Sequence, residues 1–238
     1  HEFDALLEHD LALIVDDVVE LQEVLADFEV PLFDAALAGF ERLVHPRVDD
    51  GLILADAEAA LDSVLELLTG TDRAIVQRRS AALRDHLRSM TDAGLVAVQP
   101  IHGDLHVGQV LRSPVGLSVI DLDDDISIDV ADRGQPLPAA RDVAQMLCSL
   151  DHVARLAARR VSPGQLGGVE AWVGRAQARL LDAYRATLAD AGRQDLLDDR
   201  LLQPFIAERI CRELVYAARV LPRWLHAPLG TLQRVLPG

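Results

Sequence analysis

The run Ile101-His102-Gly103-Asp104-Leu105-His106-Val107-Gly108-Gln109-Val110-Leu111, with Val119-Ile120-Asp121-Leu122-Asp123-Asp124-Asp125 after it, interrupts an otherwise helical chain. Val96-Ala97-Val98, Gln109-Val110-Leu111 and Leu117-Ser118-Val119-Ile120 are short and rich in apolar or β-branched residues, and Gly116 supplies a turn. A small β-hairpin is the simplest reading. On its N-terminal side, Phe3, Leu7, Leu11, Ile14, Val18, Leu21, Leu25 and Phe28 recur at helical steps. Further helices are expected over Leu32–Leu43, over Asp56–Leu68 after a loop at His45–Gly51, and from an Asp72 cap to about Met90. On the other side, helices are expected over Ala139–Ala158, Gly167–Ala191 and Pro204–Val220. The fold class that follows is mostly α (α+β). A helical subdomain, 1–95, precedes a subdomain, 96–238, that carries the hairpin and its polar residues, and the two form one lobe.

Composition narrows the function. The chain has 238 residues, half of them hydrophobic, and a formal charge of −15, which argues against nucleic acid and anionic membranes as partners. No apolar run reaches the roughly 18 residues of a membrane span, and no signal peptide is visible. Cys148 and Cys211 stand alone, as core residues in a reducing compartment do, so a cytoplasmic protein is expected. All 23 basic residues are Arg. Without Lys, neither a P-loop nor the phosphate-binding lysine of a kinase N-lobe is encoded here. Asn is absent as well, so an amide ligand must come from Gln. The chain opens at His1-Glu2-Phe3 without Met and is read as a fragment.

Within the hairpin region, three oxygen-bearing side chains fall at telling intervals. Protein kinases place a catalytic Asp in a loop, an amide ligand five residues later, and a metal-binding Asp after the next strand. Asp104 and Gln109 have the first spacing, and Asp121 stands twelve residues beyond Gln109 at a strand end. The chemistry requires one carboxylate to accept a hydroxyl proton and two oxygens to hold magnesium against phosphates.

His102-Gly103-Asp104-Leu105-His106 with Gln109 resembles the catalytic loop of the aminoglycoside phosphotransferase-like kinases. HGDLHVGQVLR, PAARDVAQMLCSLDHVARL (Pro138–Leu156) and ERICRELVYAARVLPRWLHAPLG (Glu208–Gly230) are similar to actinobacterial maltokinases and, more closely, glucosamine kinases. The resemblance implies the C-terminal lobe of a two-lobed, magnesium-dependent enzyme that passes the ATP γ-phosphate to a hydroxyl of a small sugar or aminosugar, with the N-terminal lobe absent. Asp104 is then the base, and Gln109 and Asp121 hold magnesium, with Asp123 beside them. His102, Arg141 and Asp142 support the loop. His106, Glu208, Arg212, Glu213 and Trp224 belong to the sugar pocket, Trp224 as a flat platform. Glu208 and Arg212 sit one turn apart and so can share a cleft. Arg141 or Arg212 is the arginine expected near the reacting groups. Asp123-Asp124-Asp125-Ile126 departs from the family's Gly-Asn-Pro-like turn.

Other readings compete. Asp121, Asp123, Asp125, Ser127, Asp129 and Asp132 match the ligand positions of a calcium loop, but Ile126 stands where the turn needs Gly, and a strand rather than a helix precedes it. His102-x-Asp104-x-His106 suggests a zinc hydrolase, yet the remaining histidines supply no second motif. The alternative of a different class is a non-catalytic lobe that binds sugar without phosphorylating it, or a degenerate kinase fragment.

Overall fold

The computed structural model describes residues 50–113, 116–121 and 136–237. The helices expected over 3–28 and 32–43 lie outside those residues, as do Asp123 and most of the calcium-loop pattern. The longer elements are α1 (Asp50–Leu67), α2 (Gly70–Ser89), β1 (Val110–Ser113), β2 (Gly116–Val119), α3 (Ala140–Ala158), α4 (Leu166–Asp190), α5 (Leu202–Arg219) and α6 (His226–Val235). The fold is mostly α around one two-stranded antiparallel sheet, as the sequence implies.

Helix α1 starts at Asp50, inside the expected loop. Ile53 and Leu54 pack against the core, which offsets the roughly 1 kcal/mol that Gly51 costs a helix. Its buried stripe, Ala57, Leu61 and Val64, keeps helical spacing. Helix α2 begins at Gly70, so Asp72 lies inside the first turn rather than capping it. There its charge still meets the positive end of the helix dipole. Helix α3 is buried on nearly every face and packs against α4, α5 and α6. Helix α4 closes with Gly192 at φ 66, where Arg193 N–H reaches Leu188 O and Gly192 N–H reaches Ala189 O, a Schellman stop.

Helix α6 was not expected from the sequence. It is held by a buried charge: Asp151 of α3, fully enclosed, accepts from Thr231 and Arg234 of α6 and from Arg155. Cys148 and Cys211 are buried and free, and burial pushes both thiols up to about 12, so neither is reactive. No described helix is long and apolar enough to cross a membrane.

The hairpin pairs Val110 with Val119 and Ser113 with Gly116. Val110 and Val119 pack on the core, whereas Leu111 and Ile120 are exposed, as strand alternation requires. The strand expected at Val96–Val98 does not extend. Among the described residues, an isolated antiparallel bridge pairs Gln99 with Leu137 instead.

Candidate active site

Asp104 sits in a loop that has no regular structure of its own, so its backbone groups need partners from elsewhere. Helix α3 supplies them. Asp142 accepts from His102 N–H at 2.7 Å and from Gly103 N–H at 2.9 Å. Gln145 accepts from Leu105 N–H at 2.9 Å and donates to Gly103 O. Ser149 Oγ accepts from Val107 N–H at 3.0 Å. Positions 142, 145 and 149 share one helix face, so one stripe of polar side chains holds the loop. Gly103 adopts φ 84, a conformation that only glycine takes without strain. Burial pushes the Asp142 carboxyl up, and the two backbone donors oppose it.

The His102 ring joins this loop to the hairpin. Its Nε2 lies 2.9 Å from Ile120 O, and its Nδ1 lies 3.4 Å from Asp104 N–H. A carbonyl on one side and an N–H on the other are both satisfied by the neutral ring protonated on Nε2. The imidazole therefore ties the backbone of Asp104 to the hairpin end at Ile120, one residue before Asp121.

Asp104 is half exposed, and its Oδ1 accepts from Arg209 Nη1 at 2.9 Å. Its Oδ2 lies 3.9 Å from His106 Nε2. Burial would raise its carboxyl, but the Arg209 guanidinium and then His106 hold it below the ordinary value. Asp104 is thus an ionised acceptor. Arg209 also meets Glu213 Oε1 at 2.5 Å, one turn along α5. Burial and Arg209 lower the His106 pKa against the pull of Asp104. Its Nδ1 accepts from Gly108 N–H at 3.1 Å, in the short turn Val107–Gln109.

Gln109 and Asp121 meet at the open end of the hairpin. The ladder continues through Ile120 N–H to Gln109 O at 2.9 Å, and Gln109 Nε2 donates to Asp121 Oδ2 at 3.1 Å. Asp121 holds φ 60, unusual outside glycine. Adjacent oxygens around an octahedral magnesium lie roughly 2.9 Å apart. A half-turn of the amide exchanges its nitrogen for its oxygen, so this pair fits two neighbouring positions on such an ion. Among the described residues, no three His, Cys, Asp or Glu converge as metal ligands, which disfavours a zinc site at His102, Asp104 and His106.

The remaining candidates divide. Glu208 is fully enclosed, with Oε1 held by Arg212 Nε at 2.5 Å and Arg141 Nη2 at 3.3 Å. Those three residues tie α5 to α3, so Glu208 and Arg212 face each other rather than open solvent. The arginine on Asp104 is Arg209, not Arg141 or Arg212. Trp224 lies half-buried in the turn Pro222–Trp224 and packs on the core. Sequence reasoning missed Arg209, Gln145 and Ser149. The last two were signalled by polar residues on the same stripe of α3 as Asp142.

No protein-family model matches the chain. It is 43% identical over 137 residues to a glucosamine kinase of Streptacidiphilus jiangxiensis, covering 58% of this chain and 31% of that protein. It is 34% identical over 184 residues to a glucosamine kinase of Mycolicibacterium smegmatis, covering 75% of this chain and 45% of that protein. The solved structure of a glucosamine kinase in complex with glucosamine, ADP and inorganic phosphate matches with a TM-score of 0.80 at 34% identity, over 85% of this chain and 51% of that one. The chain therefore spans about half, or less, of the length of the relatives it matches.

Proposed function

We propose that this chain is the helical lobe of a cytoplasmic phosphotransferase of the aminoglycoside phosphotransferase-like kinases. It moves the γ-phosphate of ATP to a hydroxyl of glucosamine or a close aminosugar. The observation that carries this reading is the imidazole of His102, which brings the Asp104 loop and the Asp121 end of the hairpin to its two sides. Residues 1–95 form a supporting subdomain, and 96–238 carry the chemistry. The lysine that such enzymes set on the nucleotide phosphates comes from outside these residues, since the chain has none.

Asp104 receives the acceptor hydroxyl. Its carboxylate orients the O–H and takes the proton as the oxygen bonds to γ-phosphorus and the bond to the ADP oxygen breaks. A carboxyl held at low pKa is a weak base, which suits a loose transition state in which the proton leaves late. Gln109 and Asp121 are the residues that would hold magnesium, with Asp123 as a further candidate. When bound, that ion supplies charge neutralisation on the phosphate oxygens. His106 and Glu213, next to Asp104 and Arg209, belong to the acceptor side, and Trp224 offers an apolar face for a sugar ring. Glu208, Arg141 and Arg212 act behind them as a rigid backing.

ADP release measured with glucosamine, ATP and magnesium tests this reading. Turnover is expected, and Asp104→Ala abolishes it with little change in melting temperature. Sugar-dependent thermal stabilisation without phosphate transfer would identify a sugar-binding lobe instead.

A further inference from the structure

We infer that Arg209 is the positioning residue of this site: it clamps Asp104 Oδ1 and so presents Oδ2, on the His106 side, to the acceptor hydroxyl. The inference rests on the proposed function and adds a component to it. The terminal torsion of an Asp side chain is soft and broadly two-fold, so a fixed backbone does not by itself fix the carboxylate plane. Helix α3 fixes the backbone on both sides of Asp104 through Asp142 and Gln145. Arg209, 105 residues further along the chain, fixes the plane with a 2.9 Å contact to Oδ1.

Arg209 is itself held. Its second terminal nitrogen sits 2.5 Å from Glu213, and only 15% of its side chain is exposed. One planar fork therefore spans two carboxylates from different parts of the chain, which a lysine ammonium cannot do with the same geometry. The distance of 3.9 Å from Oδ2 to His106 Nε2 exceeds hydrogen-bond length, so His106 does not consume the second oxygen. Among the described residues, the charged and titratable groups facing Asp104 are Arg209 and, behind it, Glu213 from α5, and His106 and His102 from its own loop. Among them Arg209 is the permanent cation, and it holds the Asp104 carboxyl below its ordinary value against the effect of burial.

The test compares wild type, Arg209→Met, Arg209→Lys and Asp104→Asn in the full-length protein. Two readouts are taken: acceptor kinetics across pH, and a ¹³C-carboxyl titration of Asp104 assigned by its loss in Asp104→Asn. For Arg209→Met, kcat falls about 100-fold while acceptor KM moves less than about threefold. The acid limb of kcat and the Asp104 titration both move to higher pH. Arg209→Lys restores the position of the acid limb but not the full kcat, because it supplies charge without the fork, and it carries the test if Arg209→Met does not fold. The inference is overturned if Arg209→Met keeps its kcat, or if the titration stays where it was. Turnover surviving in Asp104→Asn would overturn the proposed function instead, and the carboxyl titration would still decide whether Arg209 clamps Asp104.

Discussion

Gln109 and Asp121 are twelve residues apart in sequence and 3.1 Å apart in space. Antiparallel register explains this: pairing Val110 with Val119 aligns residue 109 with residue 120, and the Asp121 carboxylate, one residue on, accepts from the Gln109 amide. Asp121 holds its backbone at φ 60.

That conformation separates the fold from the chemistry at Asp121. A left-handed non-glycine residue costs about 1–2 kcal/mol. Asp121→Gly is expected to melt at or above the wild-type temperature without ligand, yet to lose the stabilisation that magnesium and ATP give. Thermal melts with and without both ligands check this, and a lower ligand-free melting point would count against it.

Gln145 gives a second prediction. Its side chain is almost wholly buried and serves both the N–H of Leu105 and the carbonyl of Gly103. Gln145→Leu strands both groups, at about 1–3 kcal/mol each. Urea unfolding should show a loss of a few kcal/mol, and kcat should fall more than acceptor KM rises, because the loop that carries Asp104 is loosened.

The two kinds of information in this sequence differ in range. Asp104, Gln109 and Asp121 were legible because a loop and a hairpin impose fixed spacings over short distances. Helices α3, α4 and α5 were legible to within two residues from apolar periodicity. Arg209 was not, because i,i+4 spacing pairs Arg212 with Glu208 and Arg209 with Glu213, and only tertiary packing brings Arg209 to Asp104, 105 residues away. Helix α6 escaped notice because its stability depends on the buried Asp151, a long-range partner. The strand expected at Val96–Val98 gives way to an isolated bridge at its end, between Gln99 and Leu137, a pairing across 38 residues that local patterning does not specify.

Glu208 makes a prediction about pH. Burial alone would raise its carboxyl, but Arg141 and then Arg212 hold it below the ordinary value of 4.5. A depressed folded-state pKa gives stability that is complete above the unfolded value and lost as pH falls through the folded one. Glu208→Gln leaves two guanidiniums facing a neutral amide, and near neutral pH it should cost about 3–5 kcal/mol. The gap to wild type is constant above about pH 5 and narrows on acidification. Urea midpoints across pH measure it, and a gap that widens in acid would reverse the assignment.

Gly230 has a steric role. A Cβ there would stand 2.6 Å from Arg155 Cδ, and Arg155 pairs with Asp151 and Glu170. Gly230→Ala forces the arginine aside and should lower stability by about 1–3 kcal/mol. A double mutant with Arg155→Ala should show that the two losses are less than additive, as expected for residues in contact.

Gln109 and Asp121 are expected to grip one divalent ion beside Asp104. Crystals grown with manganese and ADP test it through anomalous scattering. The expected result is a peak within about 2.5 Å of oxygens from both Gln109 and Asp121, on the side facing Asp104. A manganese peak held by other residues, with ADP bound and Gln109 and Asp121 still bonded only to each other, would contradict it.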